Sequence, residues 1–198
     1  MLLYLHGFNS SPNSAKAQQT LAYLRQHCAE VPYAMPQLAN TPAEAVAQIL
    51  PIAESAAAVG EPLRIIGSSM GGFLATYLIE TLQPKYPDTL MSAVLINPAV
   101  TPWVLKPLLI GEHHNPYTDQ HFTLTAEQID QLHQYHIERL RYPAAYRVLL
   151  QAGDEVLDYR LALAHYQLCQ LHIEPNGDHS FIGFEQQLPA AFAFLDLA

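Results

Sequence analysis

The stretch "IIGSSMGG" (residues 65–72) gathers three of the chain's nine glycines around two adjacent serines. The apolar run "LRII" (63–66) leads into it, and Phe73, Leu74, Tyr77, Leu78 and Leu82 follow at helical spacing. The segment therefore reads as strand, sharp turn and helix, the context in which G-x-S-x-G forms a nucleophile elbow. Only one register fits. Gly67-Ser68-Ser69-Met70-Gly71 puts Ser69 at the centre, whereas Ser68 would need glycines where Ile66 and Met70 stand. The flanking glycines are required because the backbone at such a turn presses against its neighbours too closely for a Cβ. No G-x-x-x-x-G-K-[ST] pattern and no nearby lysine support a phosphate loop instead.

A serine hydroxyl attacks only when a base takes its proton and a third group orients that base. On a strand–elbow–helix scaffold the partners follow in the order acid, then histidine. "VLLQAGDEVLDY" places Asp154 just beyond a strand ending near Gln151, and "HIEPNGDHSF" places His179 beyond the last strand. Both stand at carboxyl ends of strands, where open α/β sheets build their sites. Asp158 and Asp178 are rivals for the acid. Asp158 reads equally as the N-cap of the next helix, and Asp178 adjoins His179, whose ring a sequence neighbour seldom orients.

Acyl transfer also needs donors for an oxyanion. The Met70 amide, at the positive end of the new helix, is one candidate. The Phe8 amide in "YLHGF" (4–8) is the other, with Gly7 bending the loop and His6 bracing it.

Elsewhere apolar runs at 2–5, 31–35, 63–66, 93–96, 146–151 and 170–173 read as strands, several apolar throughout and so covered on both faces. Helical patterns lie between them. Ala17, Leu21, Leu24 and Cys28 share one face, and "TPAE" (41–44) opens a second helix as a capping box that Pro51 is expected to kink or end. Two more helices are expected near 158–169 and 188–197. The β-α-β-α alternation predicts a mostly parallel sheet of about six strands with helices on both faces, in one domain (1–198). The interval from about 100 to 143 breaks the rhythm, with Trp103, several prolines and a helix from Thr125 (Ile129, Leu132, His136, Leu140); it reads as a cap or lid excursion.

Composition narrows the function classes. Half of the 198 residues are hydrophobic and 14% are charged, enough apolar material for a large core. Nine Lys+Arg against eighteen Asp+Glu give a formal charge of −9, which repels nucleic acids and anionic membrane surfaces. "MLLYLHG" has no basic region and too short an apolar run for a signal peptide, and no stretch is long enough for a membrane helix, so a cytoplasmic protein is expected. Two distant cysteines, Cys28 and Cys169, suit buried thiols in a reducing compartment. His113, His114 and His121 lie in loop-like sequence and His133 and His136 on a helix pattern, without an H-E-x-x-H arrangement. No metal and no cofactor are expected.

With "YLHGFNSSP", "GSSMGG", "INPAV", "NPYT", "GDEVLDYR" and "GDHSFIGFE" taken together, the chain resembles the YqiA/YcfP-type family of small bacterial esterases within the α/β-hydrolase superfamily. The resemblance runs from residue 2 to about 185. It implies the α/β-hydrolase fold without the superfamily's first two strands, and Ser69, Asp154 and His179 as the triad. It implies hydrolysis of small-molecule carboxylic esters, with acyl thioesters a second substrate class. For an acyl-CoA the chain's negative charge is adverse unless Lys106, Arg139 or Arg141 gather at the entrance. Trp103, Leu105, Leu108 and Phe122 are candidates for lining an acyl pocket, or equally for the excursion's own core.

Overall fold

The computed structural model describes residues 1–197. Strand β1 (Leu2–Leu5), helix α1 (Ala15–His27), β2 (Tyr33–Ala34), α2 (Pro42–Ala58), β3 (Leu63–Ser68), α3 (Met70–Leu82) and β4 (Met91–Ile96) alternate as expected. The excursion then supplies a 3-10 turn, α4 (Lys106–Leu109), the hairpin strands β5 (Gly111–Asn115) and β6 (Gln120–Leu124), and α5 (Ala126–Asp130). Strand β7 (Tyr146–Gln151), α6 (Tyr159–His165), β8 (Gln170–Glu174) and α7 (Leu188–Phe194) complete the order.

The main sheet has six strands in the order β2-β1-β3-β4-β7-β8, every neighbouring pair parallel. Alternate residues of each strand serve opposite faces. Leu3, Leu5, Ile65, Ala93, Leu95, Val148 and Leu150 face α2, α3 and α6, in one apolar cluster with Ile49, Leu78 and Ala162. Leu2, Tyr4, Ile66, Val94, Ile96 and Leu149 face α1 and α7, in a second cluster with Leu24 and Phe192. Each fully buried leucine or isoleucine here contributes about 1.5–3 kcal/mol. That two-sided burial is why these strands read as unbroken apolar runs.

The chain moves from β1 to β2 on one side and then crosses back over β1 to β3 on the other, so a topological switch point lies between β1 and β3. Leu5 pairs with Gly67, which sets the loop after β1 beside the elbow after β3.

Two expectations need correction and a third, that Pro51 kinks or ends α2, loses one of its alternatives. Pro51 does not end α2, which runs on to Ala58; the proline is exposed, so the carbonyl that loses its partner lies on the solvated side. The helix from Thr125 keeps its capping box but stops at Asp130, continues as a 3-10 turn (Gln131–Tyr135), and is extended at His136. Its buried positions, Ile129 and Leu132, with Tyr135 packed on Tyr77, recur every three residues, the 3-10 repeat. The expected strand 31–35 shrinks to two residues at the sheet edge.

Strands β5 and β6 were absent from the sequence reading. They are joined by Pro116–Asp119, with Asn115 Oδ1 accepting the Tyr117 N–H at 2.9 Å and Asp119 in the left-handed region (φ 57°). The excursion is fused to the domain's core, because Leu109, Leu124, Ile129 and Leu132 belong to the same cluster as α2 and α3.

Candidate active site

Ser69 sits between the last residue of β3 and the first of α3 at φ 55°, ψ −117°, a conformation that only a surrounding lattice of contacts sustains. That lattice is present. The Ser69 N–H donates to Ile96 O at 2.9 Å, while its carbonyl accepts the N–H groups of Gly72 (2.9 Å) and Ala99 (3.1 Å). A Cβ on Gly71 would fall 2.0 Å from Leu5 O, and one on Gly67 would fall 2.5 Å from Gly71 O, so both glycines are needed for the turn to close. The adjacent Ser68 is buried at the end of β3.

Three side chains from three loops meet above this turn. His179 Nε2 lies 3.1 Å from Ser69 Oγ. The other ring nitrogen, Nδ1, lies 2.8 Å and 3.0 Å from the two carboxylate oxygens of Asp154. The Asp154 side chain is 2% exposed, and its Oδ1 also accepts the N–H groups of Val156 (2.9 Å) and Leu157 (2.8 Å), which fix the carboxylate in place. An ionised Asp154 holds the proton of the neutral imidazole on Nδ1, leaving Nε2 free to accept the Ser69 hydroxyl. The rival Asp158 caps α6, accepting the Arg160 N–H at 3.0 Å and pairing with the Arg160 guanidinium, which lowers its pKa. Asp178 accepts the Ser180 hydroxyl.

Gly7 lies against the elbow: a Cβ there would be 3.2 Å from Ser69 Cβ. The N–H groups of Phe8 and Met70 donate to no acceptor among the described residues. His6 braces this loop. Its Nε2 accepts the Leu38 N–H at 3.0 Å, so Nδ1 carries the proton and donates to Gly7 O at 2.8 Å. The Phe8 ring packs edge-on against His113 and Phe122 of the hairpin, and Asn9 and Asn115 tie loop and hairpin together through His114 O and Ser10 O.

Two residues positioning the site escaped the sequence reading. Asn97, buried after β4, donates from Nδ2 to Asp178 O (3.0 Å) and accepts the Gln151 N–H (2.9 Å). Gln151 Oε1 accepts the N–H groups of Asp178 (3.1 Å) and Ile182 (2.9 Å). The His179 loop is thereby sewn to the ends of β4 and β7. The quoted "INPAV" contains Asn97, and its φ of 40° marks a turn that the N-P dipeptide could have signalled.

The cleft over Ser69 and His179 has a volume of about 530 Å³. None of Trp103, Leu105, Leu108 and Phe122 lines it. Trp103 packs at a tilt on His133 (4.1 Å) and edge-on against Phe73; Leu105 and Phe122 pack against the main core, and Leu108 is 73% exposed. The cations that an acyl-CoA would need at the entrance do not line the cleft. Lys106 pairs with Asp130 at 2.6 Å, Arg141 with Glu80, and Arg139 is exposed away from the cleft lining.

A smaller apolar cavity of about 50 Å³ is bordered by Phe8 and Met70, with Leu74, Leu109, Leu124 and Ile129 in its wall. His114, Asp119 and His121 on the hairpin bring one possible ligand atom each to within 4.8 Å of the others, but all three are exposed and none lines the cleft.

Residues 1–196 match the profile of the uncharacterised protein family UPF0227. The chain belongs to that family. It is the YqiA/YcfP-type family that the sequence resembles. Solved structures place the fold of this UPF0227 member among the α/β-hydrolases. An Agrobacterium vitis S4 protein superposes with a TM-score of 0.76 at 18% identity, covering 98% of this chain and 87% of its own. Mouse alpha/beta hydrolase domain-containing protein 10 gives 0.70 at 15% identity, covering 98% and 89%. Est1E from Butyrivibrio proteoclasticus gives 0.69 at 14% identity, covering 98% and 85%. Among the described residues, no helix of this family member is long and apolar enough to cross a membrane.

Proposed function

We propose that the protein is a serine hydrolase of carboxylic esters. The observation that carries this reading is the continuous relay from Asp154 through His179 to Ser69, with contacts of 2.8 Å and 3.1 Å, on a strained elbow. In the proposed reaction His179 Nε2 takes the Ser69 proton as Oγ attacks the ester carbonyl. Asp154 holds the ring and stabilises the imidazolium. The Phe8 and Met70 amides, otherwise without acceptors, receive the oxyanion. His179 then protonates the departing alcohol, and a water activated by the same imidazole releases the acyl group. The narrow apolar cavity behind those amides suits a short acyl group. Oxygen esters are favoured over acyl-CoA, because Lys106 and Arg141 are already held by carboxylates.

Turnover of p-nitrophenyl acetate tests the reading. The wild type is expected to hydrolyse it, and Ser69→Ala to lose at least about 10³-fold in kcat. Retention of more than a few per cent by the variant would overturn the assignment.

A further inference from the structure

The first turn of α1 opens into the cleft. Ser14, Ala15 and Lys16 all line it. Ser14 is the N-cap, yet its side chain makes no capping hydrogen bond, and no acidic residue occupies the first turn of this 13-residue helix. Its terminal N–H groups, with the positive end of the helix dipole, are left for something else to satisfy. A second observation points the same way. Tyr4, on the strand below, is 1% exposed and lines the cleft, but its hydroxyl has no hydrogen-bond partner; the Ser14 hydroxyl stands beside it without normal bonding geometry. A buried hydroxyl without a partner costs free energy unless a ligand supplies one. Third, Lys16 is the one Lys or Arg lining the cleft among the described residues. Its Nζ donates to Ser180 O at 2.7 Å, next to His179, and has two further protons to give. The carboxylates nearby are engaged: Asp178 and Asp154, whose charges reach Lys16, accept the Ser180 hydroxyl and hold the His179 ring, Glu155 accepts the His179 N–H (3.1 Å), and Glu185 the Gln19 side-chain amide (3.2 Å).

We propose that the first turn of α1, Lys16 and the Tyr4 hydroxyl form an anion-binding subsite, and that the substrate is an ester whose alcohol part carries a carboxylate or phosphate. The inference rests on the hydrolase reading above. The alcohol is assigned to this side because His179, which must protonate it as it leaves, lines the same cleft. The apolar cavity beside Met70 remains for the acyl group.

The test compares 4-acetoxybenzoate with its neutral methyl ester, each kcat/KM divided by the hydroxide-catalysed rate. The wild type is expected to favour the anion by about tenfold or more, as charge-assisted hydrogen bonds allow. Lys16→Met should lower kcat/KM for the anion about tenfold more than for the neutral ester, and Tyr4→Phe several-fold more. Tyr4→Phe should fold with an unchanged or higher Tm, since it removes an unsatisfied group. Using 4-acetoxyphenyl phosphate in parallel tells phosphate from carboxylate by whichever is preferred. A wild-type ratio at or below one, or a Lys16→Met effect equal on both esters, overturns the subsite and leaves the hydrolase intact. Calorimetry with the products reads the subsite without turnover. Binding of 4-hydroxybenzoate no tighter than its methyl ester overturns the subsite; tighter binding that Lys16→Met abolishes supports it, even if failed ester turnover has overturned the hydrolase.

Discussion

Asn97 Nδ2 donates to the carbonyl oxygen of Asp178 at 3.0 Å, joining the end of the central strand β4 to the residue just before His179. The asparagine's own Oδ1 is held by the Gln151 N–H at 2.9 Å, so the loop is referenced to two adjacent strands at once. Asn97→Ala would leave buried groups of both neighbours unpaired, costing about 1–3 kcal/mol. In the proposed enzyme it also frees the loop that sets the 3.1 Å contact between His179 and Ser69. A fall in kcat of about tenfold or more, with KM little changed, is expected. Steady-state kinetics on protein whose folding is verified by circular dichroism checks it; an unchanged kcat would show the loop to be held by other means.

Asp154 and Asp158 are separable by function. Asp154→Asn forces the wrong imidazole tautomer and is expected to lower kcat about 10⁴-fold with little effect on Tm. Asp158→Ala removes a helix cap, costs about 1 kcal/mol, and leaves kcat near wild type. Reversed outcomes in paired kinetic and melting measurements would exchange the roles.

Glu80 is fully buried in α3, where it accepts the Tyr146 hydroxyl at 3.0 Å, the Arg141 N–H at 3.1 Å and the Tyr142 N–H at 3.3 Å, beside the Arg141 guanidinium. It staples the end of the excursion to the core helix. Tyr146→Phe is expected to destabilise by about 2 kcal/mol, the worth of a hydrogen bond to a buried charge. Urea unfolding reads this directly, and a loss below about 0.5 kcal/mol would mean that the remaining donors suffice.

Burial lowers the pKa of His6 from its ordinary 6.5, an effect that the Gly7 carbonyl only partly offsets; burial also lowers His165 and His136. The unfolded chain therefore binds protons below pH 6.5 that the folded chain resists, and stability falls as pH drops from about 6.5 toward the folded values. Protonating His6 also destroys the acceptor of the Leu38 N–H. His6→Gln should flatten the decline between pH 7 and 5 by up to about 1.4 kcal/mol per pH unit. An identical slope in variant and wild type would contradict this.

The sheet was legible because its strands are buried on both faces, which writes them into the sequence as apolar runs bounded by turns. The elbow was legible for a related reason, since Gly67 and Gly71 answer a steric demand that leaves no other residue. The excursion was not. Its hairpin is half exposed, with Glu112, His114, Gln120 and His121 in place of β-branched residues, and its helix pattern around Ile129 and Leu132 fits a 3-10 turn as well as an α-helix. Trp103 and Phe122 looked like pocket residues because large apolar side chains in an irregular segment carry no sign of which way they face. Lys16 and Tyr4 passed unnoticed for the opposite reason: each reads as an ordinary member of a helix or strand until the fold brings both beside Ser69.

The central claim is that the Ser69 hydroxyl is a nucleophile activated by His179. Treating the protein with a fluorophosphonate probe and mapping the adduct by mass spectrometry tests it most directly. One equivalent of label on Ser69, abolished by Ser69→Ala and strongly slowed by His179→Ala, is the expected result. No label on the folded wild type, or label confined to another residue, would contradict it.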